Sequence, residues 1–201
     1  MRRLLSRVCG DAQGVASLEF VIILPIMFML LIGIYQLTEL VRAEARLSRV
    51  AVAVADLVGQ QAGGVTGGTS GSVGNFCAAA ELMMTPFPTT GSSFSLSVAS
   101  VTNYSPNTVT VDWEIDTACA TSGTHLGSSA ATLVTTPVNL LPVSGANGTT
   151  GVAGDSVIIV QAQYTYASLL KYLAPTLGTL SKLGFARPRA NAPVSCTASC
   201  S

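Results

Sequence analysis

G-V-A-S-L-E-F-V-I-I-L-P-I-M-F-M-L-L-I-G-I-Y-Q-L-T, residues Gly14 to Thr38, is the stretch on which the fold turns. From Phe20 to Thr38 it holds no charged residue. A helix of about 19 residues rises about 29 Å, close to the hydrocarbon thickness of a bilayer, so length alone predicts a helix whose solvent is the lipid bilayer. The flank before it carries Arg2, Arg3 and Arg7 against Asp11. Because positive flanks stay on the cytoplasmic side, the N-terminus is expected there and everything after about Glu39 outside. Arg42, Arg46 and Arg49 follow the span, yet Glu39 and Glu44 are interleaved with them and the segment reads as helix, not as a basic loop.

Whole-chain quantities agree. Only 10% of the residues are charged, against about a quarter in ordinary soluble domains, and the mean hydropathy is +0.53, so part of the chain belongs in lipid. At 201 residues there is room for one ordinary domain beside an anchor. The net charge is zero and no basic run occurs beyond the first residues. A nucleic-acid partner is therefore not expected, since binding phosphates needs a basic face.

An ordinary secretory signal ends a shorter apolar core at a small-x-small cut site, whereas Ile34, Tyr35, Gln36 and Leu37 close this run. The unusual feature lies at the other end. Gly10 to Phe20 reads G-D-A-Q-G-V-A-S-L-E-F, with a glycine and then a glutamate at the mouth of the apolar segment. Gly14, four small or apolar residues, then Glu19 and Phe20 resemble the leader motif of type IV prepilins, which a membrane peptidase cuts directly after the glycine. The run S-L-E-F-V-I-I-L-P, with Pro25 inside it and Gly33 and Tyr35 toward its outer end, resembles the TadE-like pseudopilins of tight-adherence (Flp-type) pilus systems.

That resemblance implies cleavage after Gly14, a mature chain beginning at Val15, and Glu19 as its fifth residue. It implies as partners a prepilin peptidase, other pilins or pseudopilins and inner-membrane pilus assembly proteins. The implied location is the bacterial inner membrane, single-pass, with the C-terminal domain periplasmic or surface-exposed. Physical chemistry fits each part of the motif. A lone carboxylate in a membrane helix costs roughly 2.5 to 3.5 kcal/mol at its centre, and cleavage creates a cation to balance Glu19, the α-ammonium of Val15 one helical turn away or that of a neighbouring subunit. Gly14, lacking a side chain, lets the backbone extend into a protease cleft. Pro25 removes the bond to the Val21 carbonyl and kinks the helix. Without the resemblance, Glu19 reads as the polar boundary of a membrane helix and Gly14 as the residue preceding it.

Beyond the span, Leu40, Leu47, Val50, Val54, Leu57 and Val58 continue an apolar stripe at three-and-four spacing, so the helix continues out of the lipid onto a domain. The expected organisation is a cleavable leader over 1–14, a transmembrane and amphipathic helix over 15–62, a flexible Gly/Ser/Thr linker over 63–74 and an extracytoplasmic domain over 75–201. Within that domain, Asn75 to Met84 reads as a short helix stopped by Pro86 and Pro88. Phe94, Leu96 and Val98 alternate with small residues, and Val109, Val111, Trp113 and Ile115 alternate with polar ones, predicting two strands joined by a turn over Asn103 to Asn107. Asp155 to Tyr166 is a third strand. Thr117 to Gly154 reads as surface loops with an extended piece over Leu133 to Val143, Ala167 to Leu183 as interrupted helical turns, and Arg187 to Arg189 as an extended tail. The fold class is α+β, a long N-terminal transmembrane helix packed on a small antiparallel sheet domain. The A-R-P-R segment, Ala186 to Arg189, is also similar to the tails of TadE-like proteins.

Of the five cysteines, Cys9 precedes the span while Cys77, Cys119, Cys196 and Cys200 follow it as a pairable even set. Cys77 with Cys119 and Cys196 with Cys200 is the favoured pairing among three connectivities. Cys77 and Cys119 lie far from the tail cysteines and His125 stands alone, so a zinc site is not expected. Asp112, Glu114 and Asp116 project from one face of the predicted strand and read as a solvated surface rather than a cation site. No P-loop, dinucleotide fingerprint or nucleophile elbow occurs. The sequence therefore points to a pseudopilin or minor pilin acting by protein-protein interaction, with no enzymatic activity and no cofactor; the rival is an unprocessed, signal-anchored periplasmic binding module.

Overall fold

A computed structural model describes residues 12–105, 108–135, 141, 155–166, 178–190 and 192–200, with side chains in the first helix from 17 onward. The chain divides into two compact units, Met1–Val41 and Arg42–Ser201. Helix α1, Ala12–Gly59, contributes to both and contains Pro25. The first unit is described by the α1 residues up to Val41.

In the second unit, α1 is followed by β1 (Val65–Thr66), α2 (Ser72–Met83), β2 (Phe94–Ser105), β3 (Thr108–Ile115), α3 (Gly127–Thr135), β4 (Ser156–Thr165), β5 (Thr179–Ala186) and β6 (Cys196–Ala198). Four strands form an antiparallel sheet in the order β3-β2-β4-β5, and β1 pairs with β6 in a small parallel sheet. Alternation along the central strands sends Phe94, Leu96 and Val98 of β2, with Ile158, Val160, Ala162 and Tyr164 of β4, to one face. There they bury Ala43, Leu47, Val50, Ala51, Val54, Ala55 and Val58 of α1, and Val73, Cys77 and Ala80 of α2. Ala99, Val101, Val157 and Ile159 point to the opposite face, which Leu126, Ala130 and Val134 cover from α3 and the residue before it. The domain is thus α/β/α in layers, and the α+β architecture read from the sequence is the one observed.

Small residues set how closely α1 approaches the sheet. On β5, a Cβ at Gly184 would collide with the backbone of Ala51, so only glycine lets the helix lie this close to the strand. Polar contacts flank the packed stripe. Lys182 on β5 pairs with Glu44, and the Arg46 guanidinium donates to the carbonyls of Met83 and Thr85 at the end of α2, where unsatisfied carbonyls favour a cation.

Several expectations are revised. The glycine-rich 63–74 segment carries β1 and the start of α2, and Gly67, Gly71 and Gly74 serve close packing: a Cβ at Gly67 would strike the Ser199 carbonyl. Helix α2 begins at Ser72, three residues earlier than read, because Thr66 fixes its first turn: the Ser72 N–H donates to Thr66 Oγ1 at 2.8 Å and the Thr66 N–H to Ser72 Oγ at 2.9 Å. Residues Thr179 to Leu183, read as helical turns, are strand, paired residue by residue with β4. Residues Leu133 to Thr135, read as extended, close α3. The rest of those two stretches, 167–177 and most of 136–143, lies outside the described residues, as does Pro106 of the expected turn.

The largest revision concerns β3. Ser100 pairs with Trp113 but Val101 with Val111, so Asp112 is a bulge. An extra residue inverts the alternation beyond it. Trp113 and Ile115 therefore join the α1 face while Val109 and Val111 join the α3 face, instead of all four sharing one.

Candidate functional site

The first half of α1 presents apolar side chains in every direction. Phe20, Ile22, Ile26, Phe28, Leu30 and Ile34 are all exposed, and they point around the whole helical circumference. A helix apolar on all sides is suited to hydrocarbon, not water. Among the described residues Ser17–Gly59 is one helix long and apolar enough to cross a membrane. Glu19 and Phe20 are exposed near its start, and the Gly14–Val15 bond lies in the first turns of α1.

Two disulfides brace the second unit. Cys77 on α2 is bonded to Cys119 after β3, with Cα atoms 5.6 Å apart, and Cys196 is bonded to Cys200 across β6, with Cα atoms 6.3 Å apart. The first is buried, with Cys77 3% and Cys119 5% exposed, and it ties a helix to the sheet edge. The second closes a short ring at the chain end.

The carboxylates of β3 do not share a solvated face, because the bulge separates them. Asp112 is held by hydroxyl donors from β2: Ser100 Oγ at 3.3 Å, Thr102 Oγ1, and Tyr104 Oη at 2.8 Å. Burial first, and then this contact with Asp112, pushes the Tyr104 phenol above its ordinary value. Glu114 is 1% exposed on the opposite face. It accepts from the Leu126 N–H and, at 2.8 Å, from the Gly127 N–H, and lies 2.9 Å from His125 Nδ1. A carboxylate here neutralises amides left orphaned at the start of α3. His125, read from the sequence as solitary, is thus partnered. The signal for this pair was an acid set between two bulky core residues, Trp113 and Ile115. Among the described residues no group of three or more His, Cys, Asp or Glu converges in a way that could hold a metal ion.

The position of the apolar half on α1 can be set beside known families. Residues 14–56 match the family model described as TadE-like protein. No curated protein and no solved structure matches the chain. The TadE-like match begins at Gly14 and ends three residues short of the end of α1 at Gly59. It covers the apolar half of α1 and most of the half that packs on the sheet, and the similarity is confined to that segment.

Proposed function

We propose that this protein is a pseudopilin or minor pilin that takes part in assembling a tight-adherence (Flp-type) pilus. A prepilin peptidase removes residues 1–14, leaving Val15 as the first residue with Glu19 four positions on. The apolar part of α1 holds the chain in the bacterial inner membrane, N-terminus cytoplasmic, and the disulfide-braced domain stands outside. Its work is binding to other pilins, pseudopilins and membrane assembly proteins, not catalysis. The observation that carries this reading is a TadE-like match starting at Gly14 on a helix whose following residues are exposed and apolar all round.

Supporting chemistry comes from Glu19. An acid at the head of an apolar rod is tolerated when a cation is at hand, and the amine created at Val15 is such a cation. Intact-mass measurement of the protein purified from membranes tests the reading. A chain starting at Val15, and an uncut chain when Gly14 is replaced by a bulky residue, are the expected results. Recovery of the full Met1 chain from cells with active prepilin peptidase overturns it in favour of an unprocessed anchored binding module.

A further inference from the structure

The tail disulfide has no part in the assembly reading. Cys196 and Cys200 are only partly covered and sit among the exposed residues Ser195, Thr197, Ala198 and Ser199, in contrast to the buried Cys77 and Cys119. The ring they close contains β6, whose partner is β1. That pairing is small. The Val65 N–H donates to the Ser195 carbonyl and the Gly67 N–H to the Ala198 carbonyl, both at 2.8 Å, and the Thr197 hydroxyl donates to the Val65 carbonyl at 3.2 Å. Ser199 completes the ring at φ 55°, a left-handed backbone that a residue with a Cβ adopts only when its surroundings impose it. A three-residue strand held by so few bonds frays unless something ties it down. Upstream the next hold is Trp113, whose Nε1 donates to the Val194 carbonyl at 2.7 Å.

We propose that Cys196–Cys200 is a thiol–disulfide exchange site, opened by an external dithiol, and that its redox state sets whether β6 stays on β1. A thiolate of the dithiol attacks one tail sulfur; the S–S bond breaks, the departing sulfur takes up a proton, and a mixed disulfide forms. The dithiol's second thiol then attacks that mixed disulfide and releases the other tail cysteine as a thiol. Two electrons pass from the dithiol, which ends as a disulfide, and two protons end on Cys196 and Cys200. With the ring open, Ser199 relaxes out of the left-handed region and the strand frays, leaving the amides of Val65 and Gly67 without their acceptors. Opening stops at Val194, which Trp113 holds. The Cys77–Cys119 bond is spared because exchange needs access for the attacking sulfur.

The proposal is independent of leader processing, since cleavage at Gly14 leaves the tail unchanged. The test uses full-length protein in detergent micelles, titrated with dithiothreitol, then alkylated and digested so that the peptide beginning at Ala190 reports both tail cysteines. Cys196 and Cys200 should be alkylated at a dithiothreitol concentration at least roughly tenfold below that needed for Cys77 and Cys119. In the same window, exchange of the Val65 and Gly67 amides should rise roughly tenfold or more while those of Ile158 to Val160 in β4 stay protected. The double variant C196S/C200S should show the faster Val65 and Gly67 exchange without reductant and no further response to it. Parallel reduction of both pairs, tail cysteines that alkylate with no reductant added, or a reduced tail whose Val65 and Gly67 amides remain protected would each overturn the proposal.

Discussion

The two halves of α1 are both rich in apolar residues, and they solve opposite problems. Up to Val41 the helix carries Phe, Ile, Leu and Met on all sides, bulky and, apart from half-buried Leu24 and Leu40, exposed. After Arg42 the buried set is Ala43, Leu47, Val50, Ala51, Val54, Ala55 and Val58, a single stripe of mostly small side chains with Arg42, Arg49 and Asp56 off it. Apolar content does not separate a lipid-facing helix from a core helix; circumference and size do. Large residues all round fill a fluid solvent, whereas small residues on one stripe allow a close, shape-matched approach to a sheet.

The sharpest probe is one substitution made in each half. Leu47→Ala removes a fully buried side chain and should lower the unfolding free energy of the outer domain by about 2–5 kcal/mol, read from chemical denaturation followed by Trp113 fluorescence. Leu30→Ala should leave that unfolding curve within about 0.5 kcal/mol of the parent. Equal losses from the two variants would erase the distinction. Next in size, Leu30→Arg places a charge in the lipid-facing half at a cost of about 2.5–3.5 kcal/mol. Protein should move from the pellet to the supernatant on alkaline extraction of membranes, with the outer domain still folded; unchanged pelleting would show that this half does not depend on hydrocarbon. Smallest, Gly184→Ala adds a methyl where β5 meets the Ala51 backbone and should cost about 1–3 kcal/mol. A neutral result in the same denaturation assay would mean that α1 is free to lift off β5.

Much of this was legible in the sequence where one period governs a whole element. The uncharged run from Phe20 and the stripe through Leu47, Val50 and Val54 are long and unbroken, so the body of α1 could be read, although the helix runs from Ala12 to Gly59 and not over 15–62. Strands β2 and β4 lie at the sheet centre and alternate cleanly. Strand β3 was found but its faces were not, because one unpaired residue, Asp112, inverts the phase and nothing in T-V-T-V-D-W-E-I marks which residue bulges. Helix α3 was missed because G-S-S-A-A-T-L-V-T holds β-branched residues and no acid in its first turn; its N-terminal partner is Glu114, distant in sequence and visible only once the chain is folded. Strand β5 was missed because Leu180 and Leu183 are spaced as on a helix, while what makes it a strand is pairing with β4 and the Gly184 gap beneath α1. The Glu114–His125 pair was lost with the faces of β3 and with the start of α3.

The last residues of the chain complete contacts with some of the earliest of the outer domain. The Arg189 N–H reaches back to the Gly59 carbonyl at 2.8 Å, and β6 is laid on β1. A polypeptide made from its N-terminus onward cannot close these contacts until Arg189 and β6 have been made. Leu47, Val50 and Val54, which β2 and β4 cover, wait uncovered until Ser156–Thr165 has been made, a period in which a holding factor has the most to protect.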